Sequence, residues 1–277
     1  LLERGQADVA AARIDEALSI LPTVTEPEAG RAKALPAEGA LAFTGVTAVR
    51  DGRTVLGPFD LEVAHGEFVA LRGATGSGKS TLLRLGVRLD DPDAGHVRYG
   101  GTDLREARLD EVRARIAYVA QRPVLLSGTV ADNLRLGRDL DDEALREACR
   151  TAGIHEQLAA MPDGYDTELG EGGTALSGGQ VQRLAIARAL LGDPRVLLLD
   201  DSTSALDTGT EQLVLDGLRR WAAGRTVVFA THRSAVLDAA DRVAVVAPRP
   251  ATAPGAPVRT TERPDPVTPT AVEVARG

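Results

Sequence analysis

The stretch GATGSGKS, residues 73–80, lies between the apolar segment FVAL and the helical run KSTLLRLGVRL. It matches the pattern G-x-x-x-x-G-K-[ST], in which backbone N–H groups surround the oxygens of a phosphate. The glycines allow the backbone to turn inward, and the helix that follows adds the positive end of its dipole. The stretch therefore predicts a phosphate-binding loop that joins a buried strand to a helix.

Lys79 and Lys33 are the only lysines in a chain whose other basic residues are arginines. An ammonium group is a compact charge that can reach β- and γ-phosphates, whereas a planar guanidinium fits there poorly. Ser80 adds a hydroxyl group that can bind Mg²⁺. We therefore expect a nucleoside triphosphate to be bound by Gly73, Ala74, Thr75, Gly76, Ser77, Gly78, Lys79, Ser80 and Thr81.

Two aspartates follow the apolar run VLLL, at positions 200 and 201. The run predicts a buried strand, and a nucleotidase with this type of loop needs a carboxylate on a neighbouring strand to hold Mg²⁺. We assign that role to Asp200. Asp201 comes next, where such proteins carry the base that acts on the attacking water.

The rest of the chain predicts a layered α/β domain. Short alternating segments between residues 41 and 71 indicate strands, and later apolar strands alternate with helices. Strands that are apolar throughout are typical of a parallel sheet buried on both faces. The mostly helical stretch 129–161 falls between two such portions and predicts a small helical subdomain.

Composition limits the classes of function. Hydrophobic residues make up 43% of the 277-residue chain, the net charge is −8 and the pI is about 5.2, so a nucleic-acid partner is not favoured. No window approaches the roughly 20 apolar residues of a membrane helix. The single cysteine, Cys149, rules out an internal disulfide and fits a reducing compartment.

Further motifs accompany the phosphate loop in a fixed order. They are Gln121 in IAYVAQ, LSGGQ at 176–180, VLLLDD at 196–201, SALD at 204–207 and His232 in FATHR. The series resembles the Q-loop, signature, Walker B, D-loop and switch histidine of the nucleotide-binding domain of ABC transporters, with GATGSGKS as Walker A. The resemblance covers residues 41–247, most of the chain.

This resemblance implies an α/β fold with a P-loop NTPase, RecA-like core and a mostly parallel sheet. It also implies an N-terminal antiparallel β subdomain and an inserted helical subdomain at about 122–190. The nucleotide-binding domain would occupy residues 40–248. Residues 1–39 would be a helix and linker that follow a transmembrane domain, and 249–277 would be a disordered, Pro-rich tail.

The resemblance also implies roles for single residues, with ATP and Mg²⁺ as cofactors. Gln121 and His232 would act in catalysis beside Asp201, and Gln121 would bind Mg²⁺ together with Ser80 and Asp200. The remaining contacts to ATP would come from the signature and the D-loop, through Ser177, Gly178, Gly179, Gln180 and Asp207.

The signature has a physical rationale of its own. Ser177 is a good N-cap, and Gly178 and Gly179 leave the start of the following helix bare, which makes an anion site. Because the loop at 73–80 already binds phosphate, this second site implies an ATP shared between chains. In the family, two cassettes face head to tail, with each ATP between the P-loop of one and the signature of the other.

The exporter branch of the family fits best. TELGEGG at 167–173 resembles the exporters' X-loop, SGTVADNLRLG at 127–137 their segment after the Q-loop, and the opening helix their link to the last membrane helix. The expected partner is a transmembrane domain, N-terminal in the same polypeptide, at the cytoplasmic face of the plasma (inner) membrane. Alternatives are a soluble ABC ATPase acting on nucleic acid or the ribosome, and an importer ATPase.

Two of the departures from the family pattern bear on the site. Asp201 stands where the family usually has glutamate, and a carboxylate one methylene shorter favours a slow, degenerate site, whereas His232 argues for a working one. A degenerate site favours a heterodimer with a second cassette, and a homodimer remains possible. Arg50 falls at or near the place of the aromatic residue that stacks on adenine, and a guanidinium can also stack on a base.

Overall fold

The structure, a computed structural model, describes residues 22–28, 30–170 and 175–247, and the backbone of 260–261. The predicted opening helix at 3–20 lies outside the described residues, as do residues 171–173 of TELGEGG and most of the tail. No helix within the described part of the chain is both long and apolar enough to cross a membrane.

The described part of the chain contains both strands and helices. The strands are β1 Leu41–Arg50, β2 Arg53–Val63, β3 Phe68–Arg72, β4 Ala94–Tyr99, β5 Thr102–Asp103, β6 Ile116–Val119, β7 Gly128–Thr129, β8 Glu168–Leu169, β9 Val196–Asp200, β10 Thr226–Ala230, β11 Arg242–Val245 and β12 Thr260–Thr261. The α-helices are α1 Lys79–Gly86, α2 Leu109–Arg115, α3 Val130–Arg135, α4 Asp142–Thr151, α5 His155–Ala159, α6 Gly178–Leu190, α7 Thr208–Trp221 and α8 Ser234–Ala239. Short 3₁₀ turns occupy Leu104–Glu106 and Gly164–Asp166.

The central sheet has the order β12-β11-β3-β10-β9-β6, parallel from β11 to β6. Every residue of β9 and β10 is buried, which confirms the interpretation of their apolar runs. Since the strands are parallel, the residues that follow β3, β6, β9 and β10 meet at one edge. That edge collects the phosphate loop, Gln121, the two aspartates and His232.

Alternation along the buried strands divides the core into two layers. Leu197 and Leu199 of β9 face the layer that contains the helical insert, whereas Val196 and Leu198 face α1 and the antiparallel subdomain. The antiparallel sheet, in the order β2-β1-β4-β5, packs residues such as Phe43 against that second face. The expected fold class is confirmed: a P-loop NTPase core with an antiparallel β subdomain.

The helical insert runs from α3 to α6 and packs through buried leucines, among them Leu134, Leu145 and Leu184. The prediction of helix from residue 129 was wrong at its first residue, because β7 pairs with β8 in a short antiparallel ladder. Thr129 caps α3 with an extended backbone, φ −76° and ψ 166°, and Gly128 has φ 124°. The backbone just before the helix is therefore free to pair as a strand.

The predicted linker is bound to the domain surface where it is described. The guanidinium of the buried Arg88 donates to the carbonyl oxygen of Thr25 (2.6 Å), and the Leu35 N–H donates to Glu111 (2.8 Å). Beyond residue 248, Thr260–Thr261 form β12 against β11, so these two residues depart from the expected disorder. For the rest of the tail, disorder stays a prediction.

Candidate active site

The phosphate loop keeps its shape because glycine stands where other residues would be strained or would clash. Gly76 and Gly78 have φ values of 78° and 97°, in the left-handed region that disfavours side chains. A Cβ on Gly73 would lie only 2.2 Å from the carbonyl oxygen of Val246. The sequence therefore folds this segment into the turn between β3 and α1 that the motif predicts.

Lys79, the first residue of α1, folds back over this loop. Its Nζ donates to the carbonyl oxygens of Gly73 (2.6 Å) and Ala74 (3.1 Å) and lies 3.3 Å from Nε2 of His232. Burial lowers the pKa of Lys79, while the nearby Asp200 and Asp201 oppose that shift. The ammonium group is thus held at the mouth of the loop, where it can meet a phosphate.

The two aspartates at the end of β9 have different surroundings. Asp200 is buried, and its carboxylate accepts hydrogen bonds from the Ser80 hydroxyl (3.0 Å) and the Tyr118 hydroxyl (3.0 Å). Asp201 is half-buried and accepts a hydrogen bond from Nε2 of Gln121 (3.1 Å). Burial raises the pKa of Asp201, and His232 opposes that shift. The carboxylate of Asp200 is thus fixed by two hydroxyl groups, whereas the raised pKa of Asp201 makes its carboxylate a better proton acceptor.

Asp201 also has an unusual backbone. Its φ of 45° is left-handed, and its N–H donates to the carbonyl oxygen of Ala230 on β10 (2.8 Å). Aspartate and asparagine enter this region several-fold more readily than other residues with a side chain. The left-handed backbone conformation after β9 therefore favours aspartate at position 201 independently of any catalytic role.

A cavity of about 370 Å³ lies above the phosphate loop. Its lining brings together loop, strand-end and histidine side chains from across the sequence: Val55, Thr75, Gly76, Ser77, Gly78, Lys79, Ser80, Thr81, Gln121, Asp200, Asp201 and His232. The predicted metal ligands Ser80, Gln121 and Asp200 offer only oxygen donors, a set that fits Mg²⁺. The lining of the cavity therefore fits both a phosphate group and a hard cation.

His232 is held in place through its neighbour. Arg233 lies 2.6 Å from the buried carboxylate of Glu211 and donates to the carbonyl oxygen of Leu206 (2.9 Å). Thr203 also donates to Glu211 (2.7 Å). These contacts fasten the end of β10 to the loop after Asp201, so the histidine and the acidic pair keep a fixed spacing.

Arg50, which was predicted to stack on adenine, pairs with a carboxylate in the structure. The guanidinium pairs with Asp90 (3.2 Å), which also accepts from Arg84 (2.7 Å), and Arg50 does not line the cavity. Stacking on a base would require the guanidinium to leave Asp90. Val55 of β2 lines the cavity instead, a residue that no sequence motif singled out.

Tyr118 is a second residue that the sequence analysis missed. It pairs in register with Leu198 on β9, two residues before Asp200, so both side chains belong to the same face of the sheet. A lone hydroxyl in the otherwise apolar strand IAYV was the available signal. Its hydrogen bond to Asp200 fixes one oxygen of that carboxylate.

The signature lies apart from the cavity of its own chain. Ser177 accepts from the Gln180 N–H (3.3 Å) and Gln180 accepts from the Ser177 N–H (2.8 Å), a capping box at the start of α6. Ser177 and Gly178 are exposed, and no residue of 176–180 lines the cavity. Asp207 is also exposed and caps α7 through Thr210.

Comparison with known proteins agrees with this architecture. The family model "ABC transporter" matches residues 56–204. The mouse protein "Mitochondrial potassium channel ATP-binding subunit" is 45% identical over 214 residues, 76% of this chain and 30% of that protein. The "ATP-dependent lipid A-core flippase" of Burkholderia thailandensis is 43% identical over 225 residues, 80% of this chain and 38% of that protein.

A solved structure described as a bacterial Atm1-family ABC exporter with ATP bound superposes with a TM-score of 0.80 at 35% identity. The match covers 87% of this chain and 42% of the chain of the solved structure. The chain spans between 14% and 38% of the length of the curated relatives that it matches. The matched family model, the parallel sheet and the phosphate loop agree, and the chain belongs to the ABC transporter family as an ATPase domain.

Proposed function

We propose that the chain binds ATP together with Mg²⁺ and hydrolyses it to power export of a substrate across a membrane. The observation that carries this proposal is the pair of aspartates at the phosphate loop. Asp200 is fixed beside Ser80, and Asp201 is fixed beside Gln121. These are the positions that a metal ligand and a base need in nucleotide hydrolysis.

Each side chain has a role that follows from its geometry. Lys79 and the N–H groups of the loop would bind the phosphates, and Ser80, Gln121 and Asp200 would hold Mg²⁺. The ion neutralises phosphate charge when it is bound. Asp201 orients a water and takes its proton, a role for which its raised pKa is suited. Nε2 of His232 lies 3.3 Å from Nζ of Lys79, so His232 borders the part of the cavity where the phosphates would bind.

A second cassette completes the site. The exposed signature of one chain, with the bare start of α6, would cover the ATP on the phosphate loop of the other. Closure on ATP drives the membrane domain and hydrolysis releases it. We favour a heterodimer, because Asp201 replaces the usual glutamate, although a homodimer fits the same geometry.

The setting that we propose is a membrane exporter. The transmembrane domain would precede this chain in the same polypeptide, with the cassette at the cytoplasmic face of the plasma (inner) membrane. Support comes from relatives whose names are those of a flippase and of multidrug resistance and B-family transporters, all longer than this chain. A ribosome- or DNA-directed ATPase and an importer are not favoured by these relatives.

Steady-state ATP hydrolysis tests the proposal, with Lys79→Ala as the blank and Asp201→Glu as the comparison. A native rate above the blank is the expected result. If only the glutamate variant exceeds the blank, the site is degenerate and a glutamate-bearing partner is required. If neither exceeds the blank at any concentration, hydrolysis by this chain alone is excluded. The melting temperature of Asp201→Glu is a necessary control, because glutamate adopts a φ of 45° less readily than aspartate does.

A further inference from the structure

Gln182 is a buried amide that the proposed mechanism does not use. It lies on α6, two residues after Gln180 of the signature, and only 5% of its surface is exposed. A buried amide is costly unless its donors and acceptor are paired. Its position beneath the signature therefore requires an explanation in terms of its partners.

Those partners belong to two different loops of the active site. Nε2 of Gln182 donates to the carbonyl oxygen of Gln121 (3.2 Å) and to the hydroxyl of Ser204 (3.1 Å). Its Oε1 accepts from the N–H of Ala205 (3.0 Å). Both amide hydrogens and the oxygen are thus used, and the geometry needs a side chain that donates and accepts at once.

Each of these two loops leads directly to Asp201. Gln121, whose backbone carbonyl Gln182 holds, donates through its own side chain to Asp201 (3.1 Å). Ser204, on the other side, closes a turn by donating its N–H to the carbonyl oxygen of Asp201 (3.1 Å). The side chain of Gln182 therefore holds both the loop that contains Gln121 and the loop that follows Asp201.

We propose that Gln182 is a positioning residue that couples the signature helix to the Gln121–Asp201 pair. The inference rests on the proposed function. Through Gln182, the binding of a partner cassette at the signature would affect the hydrolytic site of the same chain. α6 presents Ser177 to the surface at its start and Gln182 to the two loops one turn later. A displacement of α6 thus moves Gln121 and Ser204 together.

Two substitutions separate this role from simple packing. Gln182→Met keeps the length of the side chain and removes all three hydrogen bonds. Gln182→Glu keeps an acceptor for the Ala205 N–H, but an ionised carboxylate has no hydrogen to donate to the Gln121 carbonyl. Gln212→Met, on the exposed face of α7 where Gln212 bonds only to Asp216 (2.9 Å), is the matched control.

Amide hydrogen exchange of the full chain tests the coupling without any hydrolysis. We expect Gln182→Met to speed exchange roughly fivefold or more in the segments 121–126 and 202–206, since each lost hydrogen bond loosens its loop. Gln212→Met should leave both segments at the native rate. Faster exchange in 202–206 alone would overturn the proposal and leave Gln182 as a local anchor of one loop.

Kinetics provides the second readout. Because the phosphate loop is untouched, kcat of Gln182→Met should fall about tenfold or more while the KM for ATP stays within about twofold. Gln182→Glu should recover kcat relative to the native chain as the pH falls, since the protonated carboxyl can donate to Gln121 again. An unchanged kcat, or a loss confined to KM, would overturn the inference. If the native chain does not hydrolyse ATP, the proposed function fails, and the exchange experiment still decides the role of Gln182.

Discussion

At the scale of single residues, the two aspartates differ because their neighbours differ. The carboxylate of Asp200 accepts hydrogen bonds from two hydroxyl groups, whereas Asp201 accepts one from the amide of Gln121 and has a left-handed backbone.

The raised pKa of Asp201 makes the stability of the chain depend on pH. Between pH 3.8, its ordinary value, and the raised pKa, the folded chain binds more protons than the unfolded chain. The free energy of unfolding contributed by this group therefore decreases as the pH rises through that range.

Asp201→Asn should accordingly be more stable but less active than the native chain near neutral pH. Asparagine adopts left-handed φ values readily and carries no charge to desolvate, so a gain of a few tenths of a kcal/mol is expected. Loss of the base should lower kcat by about a hundredfold or more. Chemical denaturation and ATP hydrolysis on the same samples measure both effects. A less stable variant would contradict the view that the ionised carboxylate is a cost.

The pH profile of kcat/KM, which reports groups of the free enzyme, tests the same carboxyl group in another way. Asp201 must be ionised to accept a proton, so activity should fall as the pH decreases through its raised pKa. The acidic limb of the profile should therefore lie above pH 3.8 and should shift in Asp201→Glu. A limb unmoved by that substitution would assign the titration to another group.

At the scale of elements, α7 anchors the helical insert through a close approach of two backbones. A Cβ on Gly217 would lie 2.0 Å from the carbonyl oxygen of Thr151 at the end of α4. Glycine is unfavourable inside a helix, so its presence here reflects this contact. α4 is packed against α6 in turn, and the position of the signature helix therefore depends on α7.

Gly217→Ala should destabilise the chain by about 1–3 kcal/mol, because the added methyl group forces α7 and α4 apart. Gly209→Ala, on the same helix, is the matched control. Its Cβ would meet only a carboxylate oxygen of Asp207 at 3.4 Å, so we expect no loss of stability and a gain of up to about 1 kcal/mol from the higher helix propensity of alanine. Urea denaturation of both variants measures the difference. Equal stabilities would mean that the two helices adjust to the methyl group without cost.

The sequence predicts these elements well wherever a repeating pattern or a motif determines them. The apolar runs of β9 and β10 and the loop at 73–80 depend on local chemistry, and the structure has them as expected. The β7–β8 ladder escaped prediction because two-residue strands carry no periodicity. The partners of Gln182 escaped because they depend on how α6 packs against two separate loops.

Side chains that line the cavity show the same division. The loop residues follow from a fixed spacing along the chain, whereas Val55 reaches the cavity only because β2 folds over the loop. The stacking of Arg50 on adenine stays a prediction, whereas the pairing of its guanidinium with Asp90 was not predicted by any sequence pattern. Contacts between elements that are distant in sequence therefore account for most of what the sequence missed.

At the scale of the whole molecule, the proposal assigns the domain two incomplete halves of a site. The phosphate loop faces the cavity, and the exposed signature faces outward elsewhere. In the homodimeric form of the proposal, two copies of this chain arranged head to tail would complete two sites at once. The rate of hydrolysis per chain should then rise with protein concentration, as expected for an active species that forms by association.

Ser177→Arg tests this arrangement, because a long cationic side chain at the exposed start of α6 would block the covering of a partner's ATP. Hydrolysis should fall to the level of Lys79→Ala, whereas ATP binding should stay within about threefold of the native value, since Ser177 does not line the cavity of its own chain. A variant that keeps its full rate would contradict the shared site.

The central claim is that the loop at 73–80 binds ATP with Mg²⁺ through Lys79, Ser80 and Asp200. The most direct measurement is calorimetric titration of the native chain and of Lys79→Ala with ATP, in the presence of Mg²⁺ and of a chelator. We predict one ATP per chain, bound at least about tenfold more weakly when either the lysine or the metal is removed. Equal affinities under all of these conditions would contradict the account.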